Sequence, residues 1–198
     1  NARIGPTIDE FVEAFAGRAI YLVGDLYSGY DQFQLVVKSR DITTMRTPLG
    51  LVRMCNLPEG GTNSVAHMVN AMNKVQWDCI PDITIAFLDD IPIKGCPIED
   101  KVEPIGPDEC WKFMADHVHG CEKVLQRLEG KRLTFSGENS AFKKSDIMVV
   151  GHLCGPYGRK PSLAKVEAIS AMKHDCSSVT EVRRFLGACV FYHIWIPH

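Results

Sequence analysis

The stretch that most narrows what this chain can become is Ile83-Thr84-Ile85-Ala86-Phe87-Leu88-Asp89-Asp90-Ile91-Pro92-Ile93. A nearly unbroken apolar run meets two adjacent carboxylates, and an apolar run then resumes. The Ile- and Phe-rich part predicts a buried strand. Two Asp suit a tight turn, so the segment reads as a hairpin with both acids at its tip. Like charges side by side at the edge of apolar surface are unfavourable unless something positive neutralises them. A divalent cation is the usual solution, because hard carboxylate oxygens are what Mg²⁺ prefers. Ordinary turn chemistry on a solvated loop accounts for the same two residues, so both readings stand at this stage.

A third acid follows the same logic. Ile20-Tyr21-Leu22-Val23 predicts a strand leading into Gly24-Asp25, which puts Asp25 at the strand's C-terminal end. If that strand neighbours the hairpin in one sheet, Asp25, Asp89 and Asp90 converge. Three such carboxylates can hold two Mg²⁺ about 3.5–4 Å apart. Phosphoryl transfer is mostly positioning and charge neutralisation, so it needs no Ser, His or Cys nucleophile. The chain has no G-x-x-x-x-G-K loop, which argues against a P-loop enzyme.

The remaining segments supply a frame. Thr7 and Glu10 form a capping box for a short helix that Gly17 ends. Tyr30 to Val37 reads as extended, with Phe33, Leu35 and Val37 alternating. Lys38 to Asn56 reads as strands joined by a turn at Thr47-Pro48-Leu49-Gly50. Arg40, Arg46 and Arg53 along it suit either solvated surface or a nucleic-acid backbone. Leu57-Pro58-Glu59-Gly60-Gly61 is a loop whose glycines allow close approach to a ligand. Val65, Met68, Val69, Met72, Val75 and Cys79 recur at helical spacing after an Asn63/Ser64 cap. Lys94 to Asp108 is loop-like, and an amphipathic helix runs from Cys110 to Leu128, ending at Gly130. Leu133-Thr134-Phe135 and Ile147 to Val150 read as short strands, and Gly155 to Gly158 as a turn. Ser162 opens one helix, and Ser178-Val179-Thr180-Glu181 is a capping box for another. His117-x-His119-x-Cys121 has the residue types of a zinc site, but 117 and 121 share a helical face while 119 points away.

Composition bounds the rest. At 198 residues, 45% hydrophobic and 23% charged, the chain has the make-up of one globular domain, with or without a small lobe. No run of 18 apolar residues occurs, so no membrane-spanning segment is expected. Eight Cys without a C-x-x-C pair predict reduced thiols in an intracellular protein. Residues 1–100 carry 8 Lys and Arg against 13 Asp and Glu, whereas residues 101–198 carry 14 against 11. That distribution suits metal-binding acids in one half and a polyanion on the other.

Eight motifs occur in order: Ile8-Asp9-Glu10-Phe11, Asp25-Leu26-Tyr27-Ser28-Gly29-Tyr30-Asp31-Gln32, Arg46-Thr47-Pro48-Leu49-Gly50, Leu57-Pro58-x-Gly60-x-Thr62-Asn63-Ser64, Phe87-Leu88-Asp89-Asp90-Ile91, Val150-Gly151-His152, Lys165-Val166-Glu167-Ala168-Ile169 and Glu181-Val182-Arg183-Arg184-Phe185-Leu186-Gly187. With them the chain resembles the reverse transcriptase domain of gypsy-type LTR retrotransposons, from about Ile8 to its end. The resemblance implies an α+β right-hand polymerase palm on a ferredoxin-like β-α-β-β-α-β core, with partial fingers and a helical start of the thumb. Residues 1–37 and 62–160 would be palm, 38–61 fingers and 161–198 thumb. The implied activity is RNA-directed DNA polymerisation, adding dNTPs to a primer 3′-OH on an RNA or DNA template.

The same resemblance assigns roles. Asp25, Asp89 and Asp90 match the catalytic carboxylates, which with the Leu26 carbonyl would hold two Mg²⁺, or Mn²⁺ in their place. Tyr27, Ser28 and Gly29 would face the triphosphate, with Glu59 and Gly60 beside the nucleotide. Tyr30 matches the steric gate against a ribose 2′-OH, and Gly151-His152 the primer grip. The expected partners are primer–template, dNTPs and the rest of a polyprotein with protease, RNase H and integrase portions, in the cytoplasm within a virus-like particle or in the nucleus. Three departures favour an alternative, a truncated or decayed remnant that does not polymerise. The chain starts after the upstream fingers segment, Glu59 stands where such enzymes commonly have Gln or Phe, and Pro92 follows the acid pair, where it removes a ladder donor.

Overall fold

The computed structural model describes residues 7–101, 111–172 and 175–196. The loop prolines Pro104 and Pro107, and Cys110 at the expected helix start, lie outside the described residues. Helix α1 (Ile8–Glu13) begins with the expected capping box: the Thr7 hydroxyl accepts from the Glu10 N–H while the Glu10 carboxylate accepts from the Thr7 N–H at 2.8 Å. Strand β1 (Tyr21–Asp25) follows. The next segment is not extended as expected. Residues Gly29–Gln32 form a 3-10 turn, and Val37–Arg40 form a short helix, α2. The Gln32 side chain explains the turn, because its amide donates to the carbonyls of Tyr27 and Thr134 and accepts from the Thr134 N–H. Those bonds require a tight local path that an extended strand could not supply.

Strands β2 (Met45–Thr47) and β3 (Gly50–Val52) make the expected hairpin, with Thr47 opposite Gly50. Arg53 pairs with Asp41, and Arg40 donates to the Leu35 carbonyl at 3.0 Å. Two of the three arginines of this segment therefore brace it, and Arg46 is exposed. Helix α3 (Ser64–Val75) buries Met68 and Met72 completely; its cap residue Asn63 makes no side-chain capping bond. Strand β4 (Asp90–Lys94) leads towards α4 (Lys112–Glu129), which stops at Gly130. Then come β5 (Ala141–Lys144), β6 (Ile147–Val149), β7 (His152–Gly155), β8 (Gly158–Pro161), α5 (Leu163–Ser170) and α6 (Val179–Phe191). Ser178 caps α6 as expected, but the reciprocal bond to the Glu181 carboxylate comes from Ser177. Among the described residues no helix is long and apolar enough to cross a membrane.

The central sheet runs β4-β1-β5, antiparallel throughout. The segment before β4 lies along its outer side, bridging Thr84 to Ile93 and Phe87 to Asp90. Counting that arm, the spatial order is last, first, third, second strand, with α3 and α4 as the crossovers. This is the ferredoxin-like split β-α-β arrangement.

The hairpin itself corrects two expectations. Phe87 and Asp90 exchange both backbone bonds, so the turn is Leu88-Asp89, with Leu88 at φ +58°, and Asp90 begins the strand. The first arm is also not a continuous strand. Asp90 and Lys94 direct their N–H groups at the arm (Lys94 to the Ile83 carbonyl at 2.9 Å), and alternation gives Pro92 the same direction. Pro92 has no N–H to offer there, so the ladder breaks between the two bridges. The Thr84 hydroxyl donates to the Pro92 carbonyl at 2.7 Å and repairs one side of the gap. Leu133 to Phe135 likewise makes a single bridge, Phe135 to Leu26, rather than a strand.

Alternation along β1 sorts the two cores. Leu22 and Leu26 face Met68, Met72, Ile91, Ile93, Val124 and Leu128, the layer made with α3 and α4. Tyr21 and Val23 face Phe11, Phe15, Ile147, Val149 and Cys154, the layer made with α1 and the β6–β8 sheet. Gly24 is required by a close approach: a Cβ there would lie 1.6 Å from the Phe135 ring. Gly24→Ala should therefore displace Phe135 and cost about 1–3 kcal/mol of stability by urea unfolding. In a Phe135→Ala background the same change should cost almost nothing, a coupling that a double-mutant cycle measures.

Candidate active site

The pairing of β1 with β4 sets Asp25 directly opposite Asp90. Residues opposed in this way put their side chains on one face of the sheet, with Cβ atoms about 4.5–5.5 Å apart. One step on, the Leu26 N–H donates to the Asp89 carbonyl at 3.0 Å, which ties the hairpin turn to the end of β1. The Asp89 Cβ lies 3.0 Å from where a Cβ on Gly29 would be, so the glycine lets the Asp25–Tyr30 turn close against the acid pair. Three carboxylates thus gather at one end of the sheet, and the backbone places all of them.

Their electrostatics follow from that crowding. The Asp90 carboxyl is pushed above its ordinary range, first by desolvation and then by the charges of Asp89 and Asp25. The residue is nonetheless exposed to solvent at the start of β4. Among the described residues no Lys or Arg forms an ion pair with any of the three acids. Asp25 is held instead by a neutral group, the Asn139 amide, which donates to its Oδ2 at 2.8 Å. Among the described residues no three acid, His or Cys side chains sit closely enough to hold a metal ion as they stand. The donor set is all carboxylate oxygen, unpaired with cations and partly desolvated, which is the chemistry of a hard divalent ion.

The other predicted residues fall on two sides of this centre. Tyr27 and Ser28 are exposed, with Ser28 in the left-handed region at φ 47°, and Gly29 is buried. The Tyr30 phenol is held above its usual range by desolvation and then by the charges of Asp89 and Glu59. Glu59 and Gly60 are exposed, and Gly60 has φ +80°.

Gly151 turns the chain between β6 and β7 at φ +80°. His152 is 1% exposed, packed against Phe191, Tyr192 and Trp195. Its ring therefore presents almost no surface to a ligand. The His117–Cys121 pair shares the buried face of α4, with Nε2 3.5 Å from Sγ, while His119 is exposed. Burial lowers the His117 pKa and raises that of Cys121 to about 11, so neither is charged at neutral pH.

Two functional neighbours had no sequence signal. Asn139 stands 114 positions from Asp25 in a polar stretch, and the aromatic shell of His152 comes from about forty residues downstream. Only tertiary folding brings either pair together.

No family model matches the chain. Among curated proteins it is 27% identical over 192 residues to the "Retrovirus-related Pol polyprotein from transposon gypsy" of Drosophila melanogaster, covering 96% of the chain. It is 24% identical over 193 residues to that from transposon 297 of the same species. The chain spans 17% of the length of each of these relatives. Among solved structures it superimposes on foamy viral protease-reverse transcriptase in complex with ds DNA at a TM-score of 0.78 and 18% identity, over 95% of the chain and 30% of that one. The RNA/DNA hybrid complex of the same enzyme gives a TM-score of 0.76 over 96% of the chain and 23% of that one. In sequence the chain is similar to the retrovirus-related Pol polyproteins of the gypsy and 297 transposons, and in fold to the foamy viral protease-reverse transcriptase.

Proposed function

We propose that the chain is the RNA-directed DNA polymerase core of a retrotransposon polyprotein, adding dNTPs to a primer 3′-OH. The observation that carries this reading is the register that sets Asp25 against Asp90, with the Asp89 turn bonded to Leu26. Asp25, Asp89 and Asp90 would hold the two metal ions, with the Leu26 carbonyl beside them. Mg²⁺ or Mn²⁺ bound there would supply the positive charge that deprotonates a hydroxyl and stabilises a leaving diphosphate. The chain's own contribution is to fix these acids on rigid backbone, so that little reorganisation remains when substrate arrives.

The turn through Tyr27, Ser28 and Gly29 would face the triphosphate, and Tyr30 the sugar. The nucleic-acid complexes of the foamy viral relatives support a primer–template partner. We assign residues 1–37 and 62–160 to the palm, 38–61 to the fingers and 161–198 to the start of the thumb. Protease, RNase H and integrase portions would complete the polyprotein, inside the cell in a virus-like particle or the nucleus.

Glu59 stands against full activity. Its carboxylate shares the neighbourhood of Tyr30 with Asp89 and would repel a triphosphate. A remnant that binds nucleic acid without polymerising is the reading this residue favours.

Primer extension on an RNA template distinguishes the two. Synthesis should require Mg²⁺ or Mn²⁺, stop with a chelator, and fall by about 10²–10³-fold in Asp89→Asn; extension that persists in that variant refutes the catalytic assignment. Because desolvation, and after it the charges of Asp89 and Asp25, raise the Asp90 carboxyl, protons compete with the metal at a higher pH than an isolated Asp allows. Metal affinity should therefore decline on acidification before the ordinary carboxylate range is reached, as a titration of Mn²⁺ binding against pH would report. Glu59→Gln should lower the KM for dNTP by about 5-fold or more, corresponding to about 1–3 kcal/mol for relieving an unfavourable polar contact.

A further inference from the structure

The turn between β6 and β7 meets the end of α6 through one imidazole. Three aromatic rings enclose His152: Phe191 stacked at 5.0 Å and 28°, Trp195 tilted at 5.2 Å and 37°, and Tyr192 edge-on at 5.6 Å and 69°. The Tyr192 hydroxyl donates to the Gly151 carbonyl at 2.8 Å, so the shell is also tied to the turn's backbone. His152 Nδ1 lies 3.2 Å from the Val150 carbonyl, a contact that only an N–H can use. That assigns the proton to Nδ1 and leaves Nε2 a bare lone pair. Nε2 is buried with no hydrogen-bond partner among the described residues. A buried acceptor left in this way is uncommon and is held by the packing around it.

A second proton would enter at Nε2, and its surroundings are hostile to charge. From β8 the Arg159 guanidinium lies over Trp195 at 5.9 Å, and from α5 the Lys165 ammonium lies over Phe191 at 5.2 Å. From α1 the one facing carboxylate, Asp9, is already engaged by Arg159 at 2.8 Å, as is Glu13 at 3.1 Å. From α6 comes only the neutral Tyr192 phenol, and His193 beyond it is exposed and bonded to its own Val190 carbonyl. Desolvation is the largest influence, with Arg159 and Lys165 adding to it; the Val150 carbonyl and Asp9 oppose them, and the ring's pKa lies below its ordinary 6.5.

We propose that His152 is a proton-released latch: its neutral ring locks α6 and the turn after it onto the β6–β7 turn, and protonation at Nε2 lets them go. The sign follows from linkage. The neutral ring is the form that fits, so the lock is whole above pH 6.5, the ordinary value, and weakens as pH falls towards the folded pKa. The latch stands on this chain's own packing. Only its consequence for a primer beside the thumb rests on the polymerase reading, so the test follows the helix and not synthesis.

The chain has three tryptophans, Trp77, Trp111 and Trp195, and 5-fluorotryptophan labelling gives each a resolvable ¹⁹F resonance. On titration from pH about 7.5 to about 5.5, Trp195 should shift with a midpoint below the free-imidazole value while Trp77 and Trp111 hold still. Over the same range α6 amide protection, corrected for intrinsic exchange, should fall about tenfold. Both changes should vanish in His152→Phe, which keeps an aromatic ring but cannot titrate. Should that variant not fold, His152→Gln carries the same expectation. Long-range ¹⁵N spectra of the unaltered protein supply a readout that needs no variant: an Nδ1–H tautomer at neutral pH, with Nε2 protonating at the Trp195 midpoint. A Trp195 transition that survives the substitution, a concerted shift of all three tryptophans, or an imidazole midpoint at or above 6.5 would each overturn the latch.

Discussion

The antiparallel pairing of β1 with β4 is the constraint on which everything else here depends. It sets Leu22 and Leu26 against one helical layer and Tyr21 and Val23 against the other, so both cores take their orientation from it. The same register brings Asp25 opposite Asp90. Because side chains alternate with period two, a slip of one residue would turn Asp25 into the apolar layer and Leu22 out of it. Core burial therefore fixes the placement of the acids. The hydrophobic effect, with no directionality of its own, specifies a polar site through the pleat of a strand.

Holding three carboxylates together is electrostatically costly, and the structure shows how the cost is distributed. No cationic side chain among the described residues neutralises them, and the Asp90 carboxyl is raised first by desolvation and then by the charges of Asp89 and Asp25. The Asn139 amide steadies Asp25 without adding charge. An arginine there would relieve the repulsion by adding a positive charge beside the acids. The paired strands β1 and β4, largely buried, fix the backbone from which Asp25 and Asp90 project.

The second layer connects this centre to the C-terminal helices. Val149 packs into the α1 core, and three residues along the chain His152 packs under α6, so a single hairpin touches both that core and the aromatic shell. The buried, half-satisfied imidazole is the point at which that connection can respond to pH.

Much of this was legible in the residues. The Thr7/Glu10 box, the Met68/Met72 stripe and the Thr47–Gly50 turn declare themselves through local hydrogen bonding and periodicity, and each forms as expected. Segments whose path is set by distant partners did not. Tyr30 to Val37 alternates like a strand, yet Gln32 bonds to Thr134 and bends it. The Ile83–Phe87 arm is apolar enough for a strand, but the direction of the missing Pro92 donor breaks its ladder. His152 carries no sign in its neighbours of the shell that buries it. The sequence by itself determined which segments are apolar, where helices cap and which acids stand at strand ends, since those follow from nearest-neighbour chemistry. Only the tertiary structure decided that Asp25 faces Asp90, that Asn139 holds it and that three aromatics close over His152, because each of these contacts is made across loops whose closure no local preference encodes.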